Sequence, residues 1–185
     1  MKKNGHPNKI PFHGVLTRLD DASDRAPSGA RGHRVLITAA AAHEALPTLI
    51  GMAVGFKVGW DGHDARQKCG MITHAWIEGN AVWVRGHIFG RDFPEVVRAM
   101  RDQQEPLGMS YELADAHVAD MRASIWTITS ATFTGAAILK ADKAAYKSTR
   151  INLSAEVERF TGKLQIAHAG EIRLVRKTGG KRCRR

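Results

Sequence analysis

Apolar and polar positions alternate along much of the chain, and this pattern predicts a protein built mainly from β-strands. The clearest example is residues 70–89, where two segments rich in Ile, Val and Trp flank the sequence Glu78-Gly79-Asn80. Segments 71–77 and 81–89 are therefore predicted to form a β-hairpin that turns at those three residues.

Further strand patterns occur in residues 12–19, 33–37, 107–113, 124–128 and 130–139. In residues 107–113 the side chains of Leu107, Met109 and Tyr111 are predicted to share one face, because a strand has a period of two. Gly108, Ser110 and Glu112 then lie on the opposite face, so Ser110 points away from the apolar side. Segment 130–139 (SATFTGAAIL) is rich in small residues, which would let another backbone or a substrate approach closely.

A first short helix is predicted over residues 39–46, with Thr38 as its capping residue and Pro47 near its end. It is preceded by a polar segment, residues 20–32, that is predicted to be a loop. It is followed by residues 51–62, whose four glycines indicate a bent or irregular segment.

A second helix is predicted over residues 93–103. Asp92 is placed to cap it, Pro94 is tolerated in its first turn, and Val96, Val97 and Met100 form one apolar face. Residues 141–146 could add one helical turn. The elements together predict an α+β fold with a mostly antiparallel sheet and a few short helices.

The composition is that of an ordinary globular protein. The chain has 185 residues, of which 43% are hydrophobic and 25% are charged, and this size suits one domain with its own core. The periodic patterns lie between two less regular ends. We therefore predict a flexible N-terminus over residues 1–11, a domain over residues 12–150 and a basic tail over residues 151–185.

The net charge of +10 is unevenly distributed along the chain. From Lys163 onward there are eight basic residues and a single acid, Glu171. Clustered Lys and Arg side chains release counterions from phosphates, so this tail could bind nucleic acid or an acidic protein surface. A solvated, frayed terminus explains the same charges equally well.

Several classes of protein are excluded by the sequence. The apolar run at residues 35–42 is far shorter than the ~18 residues that a membrane helix needs, so no membrane association is predicted. The first residues lead into no apolar stretch, so a secretory signal is not expected and the predicted location is the cytoplasm. Cys69 and Cys183 are far apart and form no CxxC pair, so both are predicted to be free thiols.

Among the nine histidines, His63 is placed most like a functional residue, because Asp61 and Asp64 flank it in a glycine-containing segment. Ser110 is a candidate nucleophile on the polar face of its strand. A serine hydroxyl needs a base such as an imidazole to accept its proton, and the pair can be distant in sequence. The chain has no GxSxG motif, however, and sequence alone does not show that Ser110 and His63 meet.

A metal site is the first alternative use of His63. Cys69 and His74 follow it at short intervals, and His87 lies on the next predicted strand. The spacing matches no standard zinc site, in which ligands usually come in close pairs. No cofactor is predicted, and a metal-dependent hydrolase centred on His63, Cys69 and His74 remains the less favoured interpretation.

The order of these features resembles the prohead, or capsid maturation, proteases of tailed bacteriophages. The similarity spans about residues 12–150 and rests on the segment ending in Asp61-Gly62-His63, the hairpin, the helix opened by Asp92-Phe93-Pro94, and the strand Leu107-Gly108-Met109-Ser110-Tyr111. That family is related in fold to herpesvirus assemblin. The resemblance therefore implies that the sheet is barrel-like.

The resemblance also implies a serine protease in which Ser110 is the nucleophile and His63 is the general base. Where the family commonly has an acid, this chain has no Asp, Glu or His between Ile125 and Leu139. Thr132 or Ser130 would then be the third member, orienting the imidazole through a hydroxyl. No oxyanion hole is located by the sequence.

The partners implied by the resemblance are the scaffolding protein and the major capsid protein, processed inside the procapsid in the host bacterial cytoplasm. Self-cleavage and assembly as a homo-oligomer are implied as well. The rival interpretation is a non-enzymatic assembly or nucleic-acid-binding module with the same fold, acting through its cationic tail. The missing acid at residues 125–139 favours this rival.

Overall fold

A computed structural model of the chain describes residues 6–102 and 105–154. Over these residues the chain forms eight strands: β1 (Lys9–Arg18), β2 (Arg34–Ile37), β3 (Ala53–Phe56), β4 (Lys68–Glu78), β5 (Ala81–Phe89), β6 (Leu107–Val118), β7 (Ile125–Lys140) and β8 (Arg150–Leu153). Two α-helices, α1 (Ala39–Ala45) and α2 (Pro94–Asp102), and the 3-10 turns Ser28–Ala30 and Leu46–Leu49 complete the described elements.

All eight strands belong to one mixed sheet. The path runs β2-β7-β3-β4-β5-β1-β8, and β6 pairs with β7. Most pairs are antiparallel, but β2 and β3 both run parallel to β7, at different stretches of that long strand. The predicted α+β class with a mostly antiparallel sheet is confirmed.

The sheet curls so that β1 crosses close to β6. A Cβ atom at Gly14 of β1 would lie 2.8 Å from Met109 Sδ of β6 and would overlap the backbone Arg150 O of β8, so glycine is needed where these strands come together. The curl encloses the core, which includes Phe12, Leu16, Ile72, Met109, Phe133 and Ile138, each 1% exposed or less. The predicted barrel-like curvature is therefore confirmed.

The β4–β5 hairpin was the strongest sequence signal, and the structure contains it with the turn at Gly79 and Asn80. The first helix is capped as predicted, because the Thr38 hydroxyl oxygen accepts a hydrogen bond from Ala41 N at 3.1 Å. The second helix buries Val96, Val97 and Met100 on the predicted face.

Two predictions about strands were wrong. Residues 51–62 are not wholly irregular, because residues 53–56 form β3 between β7 and β4, whose hydrogen bonds keep the segment extended despite its glycines. Segments 124–128 and 130–139 are one continuous strand, β7. The polar residues at the predicted break stay in the ladder, where Ser130 lies opposite His117.

Smaller differences concern the boundaries. The strand β1 begins at Lys9, inside the range predicted as flexible, and β8 extends to Leu153, inside the range predicted as tail. Residues 141–146 form turns and bends rather than a helix. The remainder of the basic tail, with Cys183, lies outside the described residues. No helix in the described part of the chain is long and apolar enough to cross a membrane.

Candidate functional site

Strand β6 presents two chemically different faces. Met109 and Tyr111 point into the core, where the Tyr111 ring packs edge-on against Phe133 at 6.1 Å between centroids. Ser110 and Glu112 alternate with them and are half-buried on the other face. The period of a strand thus places a hydroxyl and a carboxylate on the same side, one pleat apart.

Small residues on the neighbouring strands make room beside this polar face. Ser110 lies opposite Ala137 of β7, and Glu112 lies opposite Gly135. A Cβ atom at Gly135 would be only 2.7 Å from Glu112 Oε2. The small side chains predicted to admit a close approach therefore leave space for the Glu112 carboxylate.

The segment between β3 and β4 carries His63 back over the sheet. It is anchored at one end by Phe56 N, which donates to Gln67 O at 3.1 Å, and in the middle by Lys140 N, which donates to Trp60 O at 2.9 Å. Gly59 and Trp60 both have positive φ angles, 89° and 60°, which turn the chain sharply. The Trp60 ring packs on Phe56, with 5.3 Å between centroids.

His63, in the segment between β3 and β4, contacts Glu112 of β6. The imidazole Nδ1 lies 3.1 Å from Glu112 Oε1, and the side chains are 31% and 29% exposed. A carboxylate only accepts hydrogen bonds, so Nδ1 carries the hydrogen in this contact. That tautomer leaves Nε2 as an acceptor, which is the form that a general base requires.

A lysine shares the same carboxylate oxygen. Lys68 Nζ of β4 lies 3.5 Å from Glu112 Oε1. Glu112 is therefore held between an imidazole and an ammonium group, while Gly135 leaves its second oxygen uncrowded. These contacts position the carboxylate and, through it, the His63 ring.

The aspartates beside His63 in sequence have other partners. Lys57 Nζ lies 3.1 Å from Asp61 Oδ1, and this contact lowers the pKa of the Asp61 carboxyl. The backbone N–H of Arg66 donates to Asp64 Oδ1 at 2.9 Å and lowers the pKa of that group. These aspartates stabilise the loop, and the Nδ1 contact of His63 is made by Glu112.

The hydroxyls predicted as third members lie further along β7. Ser130 is opposite His117 and Thr132 is opposite Ala114. Both lie on the side of the Glu112–Gly135 pair that is away from Ser110. Glu112 was not among the candidates because an acid was sought at residues 125–139, on β7, whereas the carboxylate that contacts His63 lies on the same strand as Ser110. The signal that could have found it is the spacing of Ser110 and Glu112, which strand periodicity puts on one face.

The Ser110 hydroxyl has no hydrogen-bonded partner among the described residues. The Ser110 side chain lies on the same face of β6 as Glu112, which contacts His63. An imidazole with a free Nε2 can take a proton only from a hydroxyl within hydrogen-bond distance of it.

The residues considered for a metal site are not brought together. Within residues 6–102 and 105–154, no group of three His, Cys, Asp or Glu side chains could hold an ion. Cys69 is buried, donates from Sγ to Val54 O at 3.3 Å, and burial raises the pKa of its thiol to about 12. His74 is exposed and lies opposite Arg85. The alternative of a metal-dependent hydrolase at these residues is not supported.

Comparisons with known proteins find similar chains among the solved structures. Neither a protein-family model nor a curated protein matches the chain. The solved structure of the bacteriophage T4 capsid assembly protease, gp21, aligns with a TM-score of 0.44 and 12% sequence identity, covering 70% of this chain and 97% of that one. At these values the likeness describes the general course of the chain and identifies neither a family nor an activity.

Proposed function

We propose that this protein is a serine endopeptidase in which Ser110 is the nucleophile, His63 the general base and Glu112 the residue that orients His63. The observation that carries the proposal is the 3.1 Å contact between His63 Nδ1 and Glu112 Oε1, made on the strand face that Ser110 shares. A hydroxyl, an imidazole and a carboxylate so ordered are the groups that acyl transfer to serine requires.

In the proposed reaction, Ser110 Oγ attacks the carbonyl carbon of the scissile peptide bond as its proton passes to His63 Nε2. Glu112 accepts from Nδ1–H throughout, so it holds the tautomer and stabilises the imidazolium that forms. The imidazolium then protonates the leaving amine, the C–N bond breaks and an acyl-serine remains. Water, deprotonated by Nε2, releases the acid product and restores Ser110.

The proposed substrates are the scaffolding protein and the major capsid protein of a tailed phage, cleaved within the procapsid in the bacterial cytoplasm. Support comes from the resemblance of the feature order over residues 12–150 to prohead proteases. Self-cleavage and homo-oligomer formation belong to the same proposal. The main argument for a non-enzymatic module was the missing acid on β7. In this proposal Glu112 of β6 takes the role of that acid, so the argument no longer favours the module.

The test is intact-mass spectrometry of the protein co-expressed with its neighbouring capsid and scaffolding proteins. The wild type is compared with Ser110→Ala and with Ser124→Ala, a matched change of an exposed serine just before β7. We expect defined fragments with wild type and Ser124→Ala and intact partners with Ser110→Ala. Identical fragments from Ser110→Ala, or none from wild type, would overturn the proposal.

A further inference from the structure

A groove with a basic rim lies between the start of β1 and helix α2, and the proposed protease site does not use it. Its cavity volume is about 320 Å³, near the lower end of the range for ligand pockets. Its walls are provided by residues that precede or begin β1, by the residues that follow β5 and by one side of α2.

Three arginines line the groove: Arg91, Arg98 and Arg101. All are exposed, and none of their guanidinium groups has a hydrogen bond or ion pair within the described part of the chain. The nearby Asp92 is instead engaged with Asn8, whose Nδ2 donates to Asp92 Oδ2 at 2.7 Å. The groove therefore presents three guanidinium groups that have no side-chain partner within the described part of the chain.

One carboxylate, Asp102, also lines the groove. It offsets part of the charge but leaves three guanidinium groups against one acid. Arg98 and Arg101 are three residues apart on α2, and like charges at that spacing destabilise a helix slightly. A ligand with carboxylates would remove this repulsion, because guanidinium groups bind carboxylates through paired hydrogen bonds.

The floor of the groove is apolar. Ile10, Pro94 and Val97 line it, and Gly90 allows Ile10 and Val97 to meet. A Cβ at Gly90 would lie 2.5 Å from Ile10 Cγ1 and 3.1 Å from Val97 Cγ2. An aliphatic side chain between these residues would be removed from water while its flanking groups reach the arginines.

We propose that this groove binds an acidic peptide segment of a partner protein, with an apolar side chain on the floor and carboxylates on the arginines. Two other occupants fit less well. The floor has no aromatic ring on which a nucleic-acid base could stack. Residues 163–185 of the chain carry the same sign of charge as the rim, so that part of the tail would be repelled.

The proposal is tested by fluorescence anisotropy with the full chain and a short labelled peptide in which glutamates alternate with leucines. Arg98→Glu is the test variant and Arg122→Glu, an exposed arginine on the β6–β7 turn, is the matched control. We expect Arg98→Glu to weaken binding roughly tenfold or more, as for the loss of charge-assisted hydrogen bonds. Arg122→Glu should change affinity less than about twofold because long-range charges are screened.

Three further probes distinguish an acidic peptide from other possible ligands of the groove. A peptide with lysine in place of glutamate should not bind, and one with serine in place of leucine should bind more weakly because the floor is apolar. A labelled single-stranded oligonucleotide should bind less well than the glutamate peptide. Equal effects of Arg98→Glu and Arg122→Glu, or tighter binding of the oligonucleotide at the groove, would overturn the proposal. None of these outcomes depends on protease activity.

Discussion

The hairpin β4–β5 and the pair β6–β7 are both antiparallel, yet they use their side chains differently. In β4–β5 the core positions Ile72, Val82, Val84 and Ile88 are fully buried, and Trp76 stacks on Trp83 at 6.1 Å. In β6–β7 the face that carries Ser110 and Glu112 is opposed by Ala137 and Gly135. Large side chains stabilise the first pair, whereas small ones leave room for polar groups in the second.

The difference shows which strand pair of this fold can accommodate polar side chains. A half-buried carboxylate needs hydrogen-bonding partners, and His63 and Lys68 reach Glu112 only because no bulky side chain lies beside it. The hairpin offers no such space. Changes in β6–β7 should therefore affect cleavage more than stability, and changes in β4–β5 should do the reverse.

The largest expected effect is that of Glu112→Gln. An amide would no longer favour the tautomer with hydrogen on Nδ1, and replacing the acid of a serine triad can lower kcat about ten-thousandfold. Initial rates of cleavage by purified protein measure this, with Glu78→Gln on the hairpin as the control. A rate within about threefold of wild type would remove Glu112 from the proposed site.

The hairpin should respond to Ile72→Ala through stability. Ile72 is fully buried in the core, and such truncations cost about 2–5 kcal/mol in the free energy of unfolding. Urea unfolding followed by circular dichroism measures this loss. The cleavage rate per folded molecule should stay near that of wild type, and a large fall in that rate would show that the two regions are coupled.

Two glycine substitutions sharpen the contrast. At Gly86 of β5 a Cβ would overlap the carbonyl of Met71, a backbone atom that cannot move aside, so Gly86→Ala should destabilise the fold by about 1–3 kcal/mol. At Gly135 the Cβ would meet the flexible Glu112 carboxylate at 2.7 Å. Gly135→Ala should shift that carboxylate and lower the cleavage rate about tenfold or more, as misplacement does.

Both glycine variants are compared by thermal unfolding and by cleavage assay. The contrast between the two strand pairs is contradicted if both variants lose the same amount of stability and the same fraction of the cleavage rate.

The smallest effect concerns Cys69. Burial raises the pKa of its thiol to about 12, so at pH 8 the reactive thiolate is nearly absent. Iodoacetamide should leave Cys69 unmodified in the folded protein and alkylate it in urea, as peptide mapping by mass spectrometry would show. Below that pKa the thiolate fraction rises about tenfold per pH unit, so any alkylation of the folded protein should rise steadily with pH. Rapid alkylation at pH 8 would show that β4 opens readily.

Local periodicity alone predicted most of the elements. The hairpin at residues 70–89, the cap at Thr38 and the apolar face of α2 depend on neighbouring residues, so each could be predicted from the sequence. The same period also determined that Ser110 and Glu112 share a face. The sequence of residues 107–113 therefore sufficed to predict that β6 carries a serine and a carboxylate on one face.

Only the tertiary structure decided which groups meet. His63 and Glu112 are far apart in sequence, and their contact depends on the loop that Trp60 and Gln67 anchor to the sheet. The register of β6 on β7 placed Ser130 and Thr132 away from the Glu112–Gly135 pair. Pairing with β4 and β7 keeps the glycine-containing residues 53–56 extended as β3. Pairing between distant segments depends on the fit of the whole sheet, so no local pattern determines it.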